Sequence, residues 1–168
     1  VACDYPHYAF VMTSDDRGAN WTDPHPVSVD QDGKPSVGMC TGLTWLGNGK
    51  MLFYVGSDGR GDVPARWFSR DYGQTWDHAV PLAPIRDGLD WHVWDPALVD
   101  RNPVTGAITQ LAETGYNRFQ PPEVEHSHYQ AFIRFSRDAG QTWTEGIRVP
   151  QWKRADEINL MRAGNGDL

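Results

Sequence analysis

The sequence predicts an all-β fold assembled from repeated four-stranded antiparallel sheets. Two observations carry that prediction. Three segments align, SDDRGANW (14–21), SRDYGQTW (69–76) and SRDAGQTW (136–143), on the pattern S-x-D-x-G-x-[TN]-W. Their starts lie 55 and 67 residues apart, and the last two copies differ at one position in eight. Each copy also follows a strand-like stretch (YAFVMT, ARWF, YQAFIRF) and precedes another (PVSV, AVPL, GIRV). Apolar residues nowhere recur at the 3.6-residue spacing of a capped helix, so helix content is expected to be low. Four antiparallel strands per roughly 60 residues is the arithmetic of a β-propeller blade.

The elements follow in order. YAFVMT and PVSV supply the third and fourth strands of a partial first blade. VGMCTGLTWL, KMLFYVG, PARWFS and HAVPL make a complete second one. DPALVD, AITQLAET, HYQAFIRFS and GIRVP make a third, and EINLMRA begins a last, partial one that breaks off at NGDL. The turn signals GNGK and NPVTG join first to second strands. The expectation is one partial propeller domain over 1–168, with about two complete and two partial blades. The repeat itself carries turn chemistry. Ser14, Asp16, Ser69, Asp71, Ser136 and Asp138 can bond nearby backbone N–H groups, and Gly18, Gly73 and Gly140 can take positive φ. Trp21, Trp76 and Trp143 are apolar anchors for the hairpins. Three copies of one carboxylate suit a structural role, because one active site does not need three.

Composition removes whole classes of function. The chain has 168 residues, 15 Lys+Arg against 22 Asp+Glu, and a net charge of −7. Wrapping a nucleic-acid backbone requires clustered positive charge, which is missing. A basic membrane-surface module is excluded for the same reason. No window approaches the roughly 18 consecutive apolar residues of a membrane span. Twenty aromatic residues can bury too much surface for a disordered chain. Cys3 and Cys40 lack metal-site spacing, and both a single disulfide and two buried thiols fit them. No signal peptide is visible, and the first residue is Val. A secreted or periplasmic protein whose leader has been removed, an internal piece of a longer chain, and a cytoplasmic protein all fit.

The repeats are Asp boxes, also called BNR repeats, and the chain resembles the sialidase (neuraminidase) superfamily of six-bladed β-propellers. The resemblance covers nearly the whole chain. Asp boxes also occur in propellers that are not sialidases, so they identify the fold better than the reaction. In such propellers the Asp box joins the third and fourth strands of a blade and lies on the face away from the active site. The resemblance then assigns the active face to ACDYPH (2–7), DQDGKPS (30–36), GSDGRGDVPAR (56–66), APIRDGLDWHVW (83–94), ETGYNRFQPPEVEHSH (113–128) and QWKRADE (151–157).

The family's retaining mechanism implies particular parts. Three arginines clamp the substrate carboxylate by bidentate guanidinium geometry. A Tyr made more basic by a neighbouring Glu is the nucleophile, an exception to the two-carboxylate scheme. An Asp serves as general acid and then base. The resemblance places Asp4, ten residues before Ser14, at the acid/base position, and Glu157 in ADEINLMRAGNGDL at the Glu position. Asp156 stands where the pattern often has Asn. Both residues also suit ordinary roles, Asp4 as a solvated loop carboxylate and Glu157 as a partner for Arg154. Substrate contacts are expected from Arg60, Asp62, Asp90, Trp91, Tyr116, Arg118 and Arg154. No FRIP-type motif for the first clamp Arg precedes the first Asp box, and the family's remaining arginines and nucleophilic Tyr follow the Glu, past Leu168.

Other constellations are weaker. His126 and His128, near Glu123 and Glu125, share a face if they lie on a strand and so have metal-ligand potential. A polar loop is the plainer reading of them, so no metal and no cofactor are expected. DWHVWDP (90–96) either plugs a gap between blades or lets Trp91 and Trp94 offer a sugar ring an apolar face. The expected partner is a sialylated or other acidic glycan, with a homo-oligomer closing the ring as a further option. Two rival functions fit the same repeats. One is a non-catalytic Asp-box propeller that binds a glycan or protein. The other is a different propeller carbohydrate-active enzyme, such as a polysaccharide lyase or an arabinan-cleaving hydrolase.

Overall fold

The computed structural model describes residues 2–3, 8–38, 40–55, 64–77, 81–83, 85, 91–119, 128–153, 155 and 157–168. All regular structure among them is β, and no helix occurs among the described residues. The chain falls into two compact units, Val1–Pro81 and Leu82–Leu168.

The first unit holds two antiparallel sheets. One runs in the order β1 (Ala2–Cys3), β2 (Ala9–Val11), β3 (His25–Pro26). The other runs β4 (Cys40–Gly47), β5 (Lys50–Val55), β6 (Ala65–Ser69). The hairpin from β4 to β5 turns on Asn48 and Gly49, with φ of 53° and 77°. Two positive φ values in a two-residue loop make the primed turn whose twist matches that of the strands it joins. Residues 78–80 of the expected fourth strand HAVPL lie outside the described residues, and on either side of them Asp77 bridges to Phe68 and Pro81 to Ala65. A core cluster joins the two sheets. Ala9 and Val11 from β2 meet Cys40, Phe53 and Val55 from β4 and β5, together with Val27, Val37 and Trp76. Leu52 and Tyr54 on the other face of β5 are buried as well. A strand buried on both faces reads as a continuous apolar run, as KMLFYV does.

The second unit is one four-stranded antiparallel meander. Its strands are β7 (Leu98–Arg101), β8 (Ile108–Phe119), β9 (His128–Ser136) and β10 (Ile147–Lys153), paired in sequence order. At the β7–β8 turn the Asn102 side chain accepts the N–H groups of Val104 and Thr105 at 2.9 and 3.0 Å. That is the Asx-type turn an N-P-x-x-G signal encodes. The β8–β9 ladder runs without a break from Leu111↔Ser136 to Phe119↔His128. Leu111, Ala112, Ala131 and Phe132 form its buried centre.

Two expected strands differ. PVSV contributes only Pro26 to β3, because Pro26 has no N–H to extend a ladder and Asp30 turns the chain by accepting the N–H groups of Asp32 and Lys34. EINLMRA forms no strand. Among the described residues no neighbouring strand offers it ladder partners, and it is tied down by side chains instead. The Thr114 hydroxyl donates to the Ile158 carbonyl, and Arg162 grips both oxygens of Asp100. The NGD turn does form, with the Ala163 N–H on the Asp167 carbonyl at 2.9 Å.

Candidate functional site

The three repeats fold into the same hairpin. In the second copy the Ser69 hydroxyl donates to the Asp71 carboxylate at 2.8 Å and accepts the Gly73 N–H at 2.8 Å. Asp71 also accepts the Thr75 N–H at 2.9 Å and its hydroxyl at 2.5 Å, and Trp76 Nε1 donates to the Gly73 carbonyl at 3.0 Å. Ser136, Asp138, Gly140, Thr142 and Trp143 repeat each of these bonds within 0.1 Å. So do Ser14, Asp16, Gly18 and Trp21, with the Asn20 amide replacing the Thr hydroxyl. Each glycine takes a φ between 84° and 91°. These bonds favour the charged carboxylate. The Asn20 backbone and side-chain amides, with Ser14, hold Asp16 down to about 2. The Thr75 hydroxyl and N–H do the same to Asp71, also to about 2. At Asp138 burial works against the charge, and the bonds from Thr142 and Ser136 outweigh it. The whole of each carboxylate is spent inside its own hairpin, so these residues are structural.

The opposite end of the meander is different in character. There the chain leading into β7 lies against β8. The His92 and Tyr116 backbones exchange bonds of 3.1 and 2.9 Å, and their rings stack at 5.7 Å. Trp94 Nε1 donates to the Tyr116 hydroxyl oxygen. Nearby in sequence, Asp95 is half-buried, and burial pushes its carboxyl above the usual range. Below this group the Trp91 ring is buried to 2 % exposure, with the Arg134 guanidinium over its face at 4.0 Å. A Cβ at Gly115 would stand 2.6 Å from that ring and from the His92 carbonyl, so only glycine admits the indole. Arg134 also donates to the Ala83 carbonyl at 2.7 Å and thereby pins the start of the segment.

The expected site residues distribute unevenly over this geometry. Tyr116 is brought together with Trp94 and His92. Trp91 is buried beneath the Arg134 guanidinium, so it offers no open face to a sugar and packs in the core. Glu157 is exposed and takes a φ of 48°, an uncommon conformation for a residue with a side chain. Asp4, Arg60, Asp62, Asp90 and Arg154 lie outside the described residues, as does the side chain of Arg118. His126, Glu123 and Glu125 lie outside them too, and among the described residues no three His, Cys, Asp or Glu side chains gather around a metal-sized site. Three buried ionisable residues escaped sequence reasoning. Arg66 lies 5.4 Å over the Tyr54 ring, and Glu113 stands opposite Arg134 in the β8–β9 register. The available signal was a charge set in an otherwise apolar strand, as in ARWFS and HYQAFIRFS.

No protein-family model, curated protein or solved structure matches the chain.

Proposed function

We propose that the chain is a section of a sialidase-like β-propeller glycoside hydrolase acting on sialylated or related acidic glycans. The observation that carries this reading is the threefold Asp-box hairpin, with its Ser–Asp–Gly–Thr/Asn–Trp bonding repeated within 0.1 Å wherever the same atoms occur. Each copy follows one strand of an antiparallel sheet and, in the second unit, leads directly into the fourth. In this reading the sheet ends away from the boxes form the substrate face. Tyr116 and Trp94 lie there, and the expected 113–128 loop is strand β8 as far as Phe119, with Arg118 near that strand's end. Asp4 is the acid/base residue and Glu157 the residue that raises the basicity of a tyrosine nucleophile. The left-handed backbone at Glu157 supports a functional position, because such strain gathers at working sites. The 168 residues include neither a FRIP-type motif nor an arginine pair and tyrosine after Glu157. The isolated chain is therefore expected to leave a fluorogenic α-sialoside intact. Robust turnover would overturn this expectation and give the clamp and nucleophile roles to residues such as Arg60, Arg118 or Tyr116. Saturation-transfer NMR with sialyllactose tests the substrate class separately, and silence there would remove the acidic glycan.

The same three hairpins also fit a second reading, a propeller that binds glycans without cleaving them. Sialoside binding that persists in the Glu157→Gln and Asp4→Asn variants, with no hydrolysis by any longer form of the protein, distinguishes it.

A further inference from the structure

The first unit carries three exposed aromatic rings in one place. Trp21, Trp45 and Tyr72 are 58 %, 45 % and 63 % exposed and line a single open groove of about 1110 Å³. Trp76 provides an internal comparison. It occupies the same position in the same hairpin, with the same Nε1 bond, yet it is 9 % exposed and set edge-on to Phe53 at 4.4 Å. The hairpin thus holds the Trp21 indole in a defined pose and leaves it open. Tyr72 is equally fixed. Its N–H donates to the Gly49 carbonyl at 2.9 Å, and its ring lies against Gly49 and 5.8 Å from Trp45. A platform built on hydrogen-bonded turns loses little conformational entropy when a ligand settles on it.

The other groups in the groove define the ligand. Asp15, Arg17, Thr22 and Gln74 share its lining with the rings. Hydrogen-bonding and charged groups therefore share the groove with aromatic faces, whereas the centre of a protein interface is depleted of charge. One Arg and one Asp cancel, so the groove selects for neither sign. Its volume exceeds the roughly 300–1000 Å³ of a small-molecule pocket, and it is open to solvent. A ligand that alternates apolar C–H faces with hydroxyl edges, carries no charge and extends over several units matches each of these properties. We propose that the Trp21–Trp45–Tyr72 groove binds a neutral oligosaccharide chain, as a site separate from the substrate face and without a part in hydrolysis.

The test is a titration of the 168-residue chain with cellohexaose, chitohexaose and mannohexaose, followed by tryptophan fluorescence. At least one hexasaccharide is expected to bind with an affinity that does not change with salt. Trp21→Ala and Trp45→Ala are each expected to weaken it at least about tenfold, equivalent to about 1.4 kcal/mol. Far-UV circular dichroism of both variants should match the parent, because the removed rings are exposed. The proposal is overturned if no hexasaccharide perturbs the fluorescence at millimolar concentration. Binding that survives both substitutions, or that weakens with salt, also overturns it. So does self-association of the chain that Trp21→Ala abolishes, since a second copy would then be the occupant. The sialidase reading stands or falls separately: sialyllactose is expected neither to occupy this groove nor to displace the neutral sugar.

Discussion

One eight-residue motif holds three tryptophans in the same pose and buries them to different depths. Trp76 enters the core of the first unit, while Trp21 stays largely in water. Burial rather than motif membership should therefore decide what each contributes. Trp76→Ala is expected to cost about 3–5 kcal/mol, through lost transfer energy and the cavity left beside Phe53. Trp21→Ala is expected to stay near about 0.5 kcal/mol, the range of ordinary surface substitutions. Urea unfolding of the two variants checks this, and equal losses would contradict an open groove at Trp21. The three repeated hairpins were legible in the sequence because the bonds that define them close within the motif. Trp91 was not. Its neighbours Arg134 and Gly115 come from β9 and β8, and DWHVWDP reads equally as packing or as a sugar platform until those strands are placed.

At the scale of elements, turns were more legible than strand ends. GNGK specifies the primed β4–β5 turn by itself, and NPVTG specifies the β7–β8 turn. PVSV and EINLMRA promised strands, but a strand exists only where a neighbour supplies ladder partners, and that is a property of the assembled sheet. The two turn glycines allow local strain to be separated from packing. Gly106 takes a φ of 70°, and a Cβ there would meet nothing within 4 Å. Gly49 takes a φ of 77°, but its Cβ would stand 3.1 Å from both the Arg70 carbonyl oxygen and the Tyr72 ring. Gly106→Ala should cost about 1–2 kcal/mol from the left-handed backbone alone. Gly49→Ala should cost measurably more, because a backbone oxygen cannot step aside as a side-chain tip can. Thermal unfolding of the pair measures the difference, and equal losses would show that the Arg70 contact relaxes freely. Gly49→Ala should also disturb Tyr72, and with it the wall of the aromatic groove.

At the scale of the whole molecule the cluster around Tyr116 was legible only in part. Tyr116, His92 and Trp94 all stood among the candidate loop residues, yet their mutual contacts depend on the pairing of residue 92 with residue 116, which no local pattern encodes. The carboxylates of the three hairpins all act on stability in one direction, and its sign can be worked out. Asp16 and Asp71 titrate at about 2 in the folded chain, and Asp138 is also lowered. An unfolded Asp titrates near about 3.9, so between these values the unfolded chain binds protons that the folded chain refuses. The contribution of the three carboxylates is complete above roughly pH 5, falls as the pH drops through about 4, and is gone below about 2. Asp95, raised by burial, acts in the opposite direction, because protonation relieves its desolvation as the pH falls. Three carboxylates outweigh one, and the parent chain is expected to lose stability steeply across that acid window. Replacing Asp16, Asp71 and Asp138 by Asn together removes the titrating groups. The triple variant should melt lower than the parent at about pH 7, lose little more on acidification, and converge with it near about pH 2. Calorimetric Tm values across the window give the two curves. If they run parallel, the acid sensitivity belongs to other groups, and the hairpin carboxylates matter through geometry rather than charge.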